Sequence, residues 1–114
     1  MRLTSDFFVS ALIRRVFAEG GYAAVEARGA AEAGAIFIRC RRRDGLETLF
    51  GPAPQSAFEE ERPARLFECR LRDAGADAVE ALIARERKWD SDLWLVELET
   101  EDPARFLDIA EMPS

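Results

Sequence analysis

The stretch Ala35–Phe50, AIFIRCRRRDGLETLF, decides how the chain folds. Two runs of alternating residues flank Asp44-Gly45, a dipeptide favoured in two-residue hairpins because a type I′ turn needs positive φ at both central positions. With that turn, Arg43 faces Leu46, Arg42 faces Glu47, Arg41 faces Thr48, Cys40 faces Leu49 and Arg39 faces Phe50. Successive side chains of a strand point to opposite sides. One face of the hairpin then holds Ile36, Ile38, Cys40 and Leu49, with an Arg42–Glu47 pair at a wet tip. Cys40 reads there as a small buried hydrophobe. The other face holds Phe37, Arg39, Arg41, Thr48 and Phe50, two aromatics interleaved with two guanidinium groups.

Working outward, SDFFVSALIRRVFAEG (residues 5–20) predicts a helix. Ser5 or Asp6 can cap it, and Gly20-Gly21 supplies the left-handed stop. Phe8, Val9, Leu12, Ile13, Val16 and Phe17 share one apolar face, whereas Phe7 falls on the opposite side. Residues 22–28 and 35–43 read as two strands joined by a glycine-bounded loop, although the alanine-rich first of them would also permit a short helix. After the hairpin, GPAPQS (Gly51–Ser56) is a stiff extended segment, since Pro52 and Pro54 lack amide donors and restrict the residues before them. It could present Gln55 and Ser56. RLFECRL (residues 65–71) alternates as a strand, which gives Cys69 the same core reading as Cys40. From Asp77, a second helix places Val79, Leu82, Ile83 and Trp89 on one face. LWLVELE (residues 93–99) is the last strand, with Trp94, Val96 and Leu98 together, and Asp102-Pro103 opens a short helix or turn. The order is helix, four strands, helix, strand, tail. It implies a single domain over residues 1–114 of the α+β class, a two-layer arrangement in which two main helices pack on one face of a mostly antiparallel sheet of about five strands. The Phe37/Arg39/Arg41/Phe50 face would then be partly wet.

Composition narrows the chemistry. Among 114 residues there is no histidine, so Ser-His-Asp and Cys-His catalysis are excluded, and no side chain has an unperturbed pKa near neutrality. Two cysteines cannot complete a four-ligand zinc site. No phosphate-binding glycine loop or calcium-loop spacing occurs. No cofactor, metal or catalytic residue is expected, and an enzyme would need a reactive Cys40 or a strongly shifted carboxylate. No apolar run approaches a membrane span, and the apolar segment Phe7–Ile13 lies between Asp6 and Arg14-Arg15 with no cleavage site after it. The expected location is the cytoplasm, with both thiols reduced. The formal charge of −6 is unevenly spread: residues 1–46 carry eight arginines against five acidic residues, and the remainder is strongly acidic. Such a surface repels polyanions over most of its area.

The blocks SDFFVSALIRRVFAEGGYAAV, GAIFIRC, LFGPAPQS and DLWLVELE resemble, in order and over nearly the whole chain, a family of small uncharacterised alphaproteobacterial proteins classed as a domain of unknown function. The resemblance implies a bacterial cytoplasmic protein and carries over no activity. The residues themselves favour a non-catalytic module that binds a protein partner or itself through Phe37, Arg39, Arg41 and Phe50 and the proline-rich segment with Gln55 and Ser56, because aromatics and arginine are enriched at interface anchors. The alternative is binding of RNA or another polyanion through the same Phe37, Arg39, Arg41 and Phe50.

Overall fold

A computed structural model describes residues 3–54 and 65–110. Helix α1 (Ser5–Ala18) leads into strands β1 (Tyr22–Ala27), β2 (Ile36–Arg41), β3 (Glu47–Pro52) and β4 (Leu66–Ala74). Helix α2 (Ala76–Trp89), strand β5 (Trp94–Glu99), a 3-10 turn (Pro103–Arg105) and the short strand β6 (Asp108–Ile109) follow. The strands form one sheet in the order β1-β5-β2-β3-β4-β6. β2 lies parallel to β5 and β4 to β6, and the remaining neighbours are antiparallel. The α+β class stands; β6 widens the sheet by one short strand, and residues 22–27 are strand, not helix.

The helices do not share a face of the sheet. Val9, Leu12 and Val16 of α1 pack on Ile36, Ile38, Cys40, Phe50, Phe67, Trp94, Val96 and Leu98, and Leu107 of the C-terminal segment closes that layer. Val79 and Ile83 of α2 form a separate core with Phe37, Leu49, Leu93 and Leu95. The reason lies in the central strands. IFI in β2 and WLV in β5 are apolar at consecutive positions, so both of their sides require cover, the pattern of strands buried on two faces. Burying one large apolar side chain contributes about 1.5–3 kcal/mol, and Phe37, Leu49 and Leu95 would forfeit it on a wet face. The expectation of helices on one side is corrected accordingly. Trp89 at the end of α2 turns away from this core and is 91 % exposed.

The hairpin also differs from the expected one. Arg42 pairs with Leu46 rather than Glu47: its amide donates to the Leu46 carbonyl at 3.0 Å, and the Gly45 amide donates to the Arg42 carbonyl at 3.1 Å. The loop is therefore the three-residue form, a tight turn followed by one left-handed residue, Gly45 at φ 87°. Asp44 keeps negative φ and works through its side chain, accepting from the Leu46 amide at 2.9 Å and pairing with Arg42 at 3.0 Å. Those contacts hold its carboxyl below the usual range, the Leu46 amide first. One extra loop residue shifts the register by one, giving Ile38↔Phe50, Arg39↔Leu49, Cys40↔Thr48 and Arg41↔Glu47. A shift of one residue moves every side chain of β3 to the other face.

At the start of α1 neither expected cap operates. The amides of Ser5 and Asp6 donate to the carbonyls of Glu32 and Ala31, at 3.1 and 2.9 Å, and the buried Ser5 hydroxyl donates to the Gly34 carbonyl at 2.6 Å. The loop between β1 and β2 thus satisfies the orphan donors that a side chain would otherwise take. It is itself clamped: the Trp94 indole donates to Ala30 at 2.8 Å, and a Cβ on Gly29 would stand 2.1 Å from the Asp92 carbonyl oxygen. Gly51 and Pro52, read from sequence as loop, complete β3 opposite Glu68 and Phe67. Gln55 and Ser56 lie outside the described residues.

Candidate functional site

The four residues expected to form an exposed patch are separated. Phe37, Arg39 and Arg41 do lie on one side of β2, but α2 covers it, and Phe37 and Arg39 are each 4 % exposed. Phe50, also buried, is on the opposite side with α1. Instead of Phe50, the shifted register sets Glu47 beside the arginines. Its side chain takes Arg39 Nε at 2.5 Å on one carboxylate oxygen and Arg41 Nε at 2.9 Å on the other. Arg39 reaches Glu26 at 3.5 Å and Glu80 at 3.6 Å, and Arg41 reaches Glu97 at 2.6 Å. Burial of Glu47 opposes its ionisation, yet the hydrogen bonds and charges of Arg39 and Arg41 outweigh it and hold the carboxyl below its ordinary range. Arg70 stacks over the Phe37 ring, 5.4 Å from its centroid, and donates to the Pro52 carbonyl at 2.7 Å. This network uses up the chemistry of the expected patch: its guanidinium groups tie β2, β3 and β5 together, and Arg39 also reaches α2 at Glu80.

Accessible chemistry gathers instead at one end of the molecule. β2 and β5 are parallel neighbours whose carboxyl ends, Arg41 and Glu99, stand side by side. In open α/β sheets, ligands bind beyond the carboxyl ends of parallel strands, and β2 with β5 supplies one such parallel pair here. Two clefts open there and share Arg42, Thr100 and Glu101. The larger, about 410 Å³, lies between the turn after α1 and the 3-10 turn; it is lined by Arg41, Arg43 and Arg105, by Glu19, Glu99 and Asp102, and by Phe106. Its charges are already knit together in part, with Arg105 Nε 2.6 Å from Glu19 and the Arg43 amide donating to Glu101 at 3.0 Å. The smaller, about 290 Å³, has Cys40, Phe50 and Cys69 as an apolar floor under Thr48, Arg72, Asp73, Pro103 and Ile109. Sequence reasoning missed Arg72, Asp73, Thr100, Glu101 and Arg105. The available signal was polar residues immediately following predicted strands, in RDA and LETED.

The Cys40 thiol is disfavoured as a nucleophile by its surroundings. Cys40 is 2 % exposed, and burial pushes its thiol up to about 12. Cys69 is half-buried on the cleft floor, without a disulfide partner. Among the described residues no group of three or more His, Cys, Asp and Glu is placed to hold a metal ion, and no helix is long and apolar enough to cross a membrane.

With the geometry established, similarity to known proteins can be placed on it. No curated protein matches the chain. Three solved structures are similar over nearly all of it: the solution structure of protein Atu0922 from A. tumefaciens, at TM-score 0.88 and 54 % identity, covering 100 % of this chain and 99 % of that one; a crystal structure of a DUF1491 family protein from Caulobacter crescentus, at TM-score 0.78 and 32 % identity, covering 97 % and 100 %; and an NMR structure of a DUF1491 family protein from the same organism, at TM-score 0.77 and 31 % identity, covering 97 % and 99 %. The family model for proteins of unknown function DUF1491 matches residues 3–108, and the chain belongs to that family.

Proposed function

We propose that the protein is a non-catalytic module that docks a protein partner, and that the docking surface is the end of the sheet around the larger cleft rather than the Phe/Arg face. The observation that carries this is the alternation of sign around that cleft, Arg41, Arg42, Arg43 and Arg105 against Glu19, Glu99, Glu101 and Asp102. A polyanion requires a continuous basic track, whereas interleaved charges match the mixed surface of another protein and set its register. Aromatics flank the site, as at interface anchors: Phe17 and Tyr22 are exposed and in edge contact, with ring centroids 6.0 Å apart, and they bracket the Gly20-Gly21 wall of the cleft.

The test is affinity capture with the full chain as bait, quantified by mass spectrometry, comparing wild type with Arg43→Glu and Tyr22→Ser. A specific partner is retained by wild type and lost from both variants while their circular dichroism and unfolding midpoints stay unchanged. Equal retention by wild type and variants refutes the surface. Salt-steep binding of single-stranded RNA by wild type, lost in Arg43→Glu, refutes the partner class.

A further inference from the structure

The smaller cleft owes its composition to two irregularities in β4. Phe50 stands opposite Cys69 and Leu49 opposite Leu71, so one step along β3 matches two along β4; a second slip lies between Leu49↔Leu71 and Glu47↔Ala74. At the first bulge, Arg70 and Leu71 both turn towards α2, Arg70 over Phe37 and Leu71 beside the core around Leu49. Arg72 is thereby thrown to the other side, where it lines the cleft with Cys69. In an unbulged strand, residues three apart fall on opposite faces, and Arg72 would not share a face with Cys69. At the second slip Asp73 takes φ 49°, the one non-glycine residue with positive φ among those described. Its amide donates to Thr48 Oγ1 at 3.2 Å and its carboxylate is held by Arg42 at 3.0 Å. Bulges and left-handed residues of this kind recur where a side chain is re-aimed at a site.

We propose that this cleft binds an organic monocarboxylate with a short apolar body, the tail lying on Cys40, Phe50 and Cys69 and the carboxylate meeting Arg72. The argument is independent of the docking surface. Asp73 is committed to Arg42, whereas Arg72 has no ion-pair partner among the described residues. A single spare guanidinium beside the carboxylates of Asp73 and Glu101 suits one negative charge and disfavours a dianion such as phosphate. At about 30 Å³ for each water-sized group, the space of 290 Å³ admits roughly ten non-hydrogen atoms. The carboxylate can belong to a free short-chain acid or to the apolar C-terminal residue of a peptide; both present the same chemistry.

The experiment is an amide NMR titration of the full-length chain with sodium hexanoate, 1-hexanol, inorganic phosphate, and a short peptide with an apolar C-terminal residue in free and amidated forms. Hexanoate is expected to give saturable shifts at Thr48, Cys69, Arg72 and Thr100, and to slow alkylation of Cys69. Hexanol, and hexanoate on the Arg72→Gln variant, are expected to bind about tenfold more weakly or worse, the worth of one hydrogen bond to a charged group. Tighter binding of the free-acid peptide than of hexanoate, lost on amidation, identifies a chain terminus as the source; the reverse order identifies a free acid. Equal affinity for hexanol and hexanoate, binding unaffected by Arg72→Gln, preference for phosphate, or no saturable shift with either carboxylate overturns the proposal.

Discussion

Glu47 sits beneath α2 with its side chain 1 % exposed and two arginines on its two carboxylate oxygens. Removing one partner of a buried pair leaves an uncompensated charge, which typically costs 3–5 kcal/mol; Glu26 and Glu80 within reach of Arg39 temper that here. Glu47→Gln is therefore expected to destabilise by about 3 kcal/mol in urea unfolding. The double change Arg39→Met with Glu47→Leu should cost less than Glu47→Gln alone, because the two most buried charges leave together, apolar volume remains, and the half-exposed Arg41 keeps Glu97. A double variant worse than the single would show that the network's geometry, rather than its charge balance, is what stabilises the fold. Cys40 supplies a second residue-level test, with the opposite pH sense from a depressed carboxylate. Its thiol is neutral in the folded state up to about 12, while in the unfolded chain it ionises near 9. Between those values the folded state holds the extra proton, so stability falls as pH rises through that window, by on the order of 1 kcal/mol per pH unit. Wild type minus Cys40→Ala, followed by denaturant midpoints from pH 8 to pH 11, isolates the slope; parallel curves would contradict it.

At the scale of elements, the hairpin loop sets the faces of β3, and its left-handed residue is Gly45. A Cβ there meets nothing within 4 Å, so a substitution is felt through backbone conformation alone. Gly45→Val should cost about 1–3 kcal/mol, since a β-branched residue resists positive φ, and Gly45→Asn much less, since asparagine visits that region. Equal costs would place the left-handed position elsewhere in the loop and with it a different register. The Asp44-Gly45 signal was legible in the sequence as a turn, but two turns accommodate it. One is the two-residue form with both residues left-handed, and the other is the three-residue form with glycine alone left-handed. Only contacts distant in sequence separate them: Phe50 fills the layer under α1, and Glu47 finds Arg39, when the loop has three residues. The β4 bulges were beyond the sequence for a similar reason. RLFECRL alternates well enough to look regular, and the extra residues become visible only against β3.

For the whole molecule, the layering of α1, sheet and α2 predicts very different environments for the two tryptophans. Trp94 is 1 % exposed and Trp89 is 91 % exposed. In Trp89→Phe the remaining emission should be blue-shifted and resist acrylamide quenching until the protein unfolds, whereas Trp94→Phe should leave red-shifted, readily quenched emission from a destabilised fold. Quenchable emission in folded Trp89→Phe would mean that the loop between β1 and β2, whose Ala30 carbonyl accepts from Trp94, is not seated as described. Local periodicity determined most of the elements and the α+β class. The helix stripes of Val9, Leu12 and Val16 and of Val79 and Ile83, and the alternation of Trp94, Val96 and Leu98, are statements about neighbours within a few residues, where chain geometry dictates which side chains align. The sequence also determined the chemistry that is missing, since a chain without histidine cannot acquire one by folding. Tertiary structure alone decided which faces are covered, because burial depends on where α2 lands after leaving β4. That choice turned Phe37 and Arg39 from an expected interface into core, and one extra residue in β4, between Cys69 and Leu71, carried Arg72 across the sheet to an open cleft.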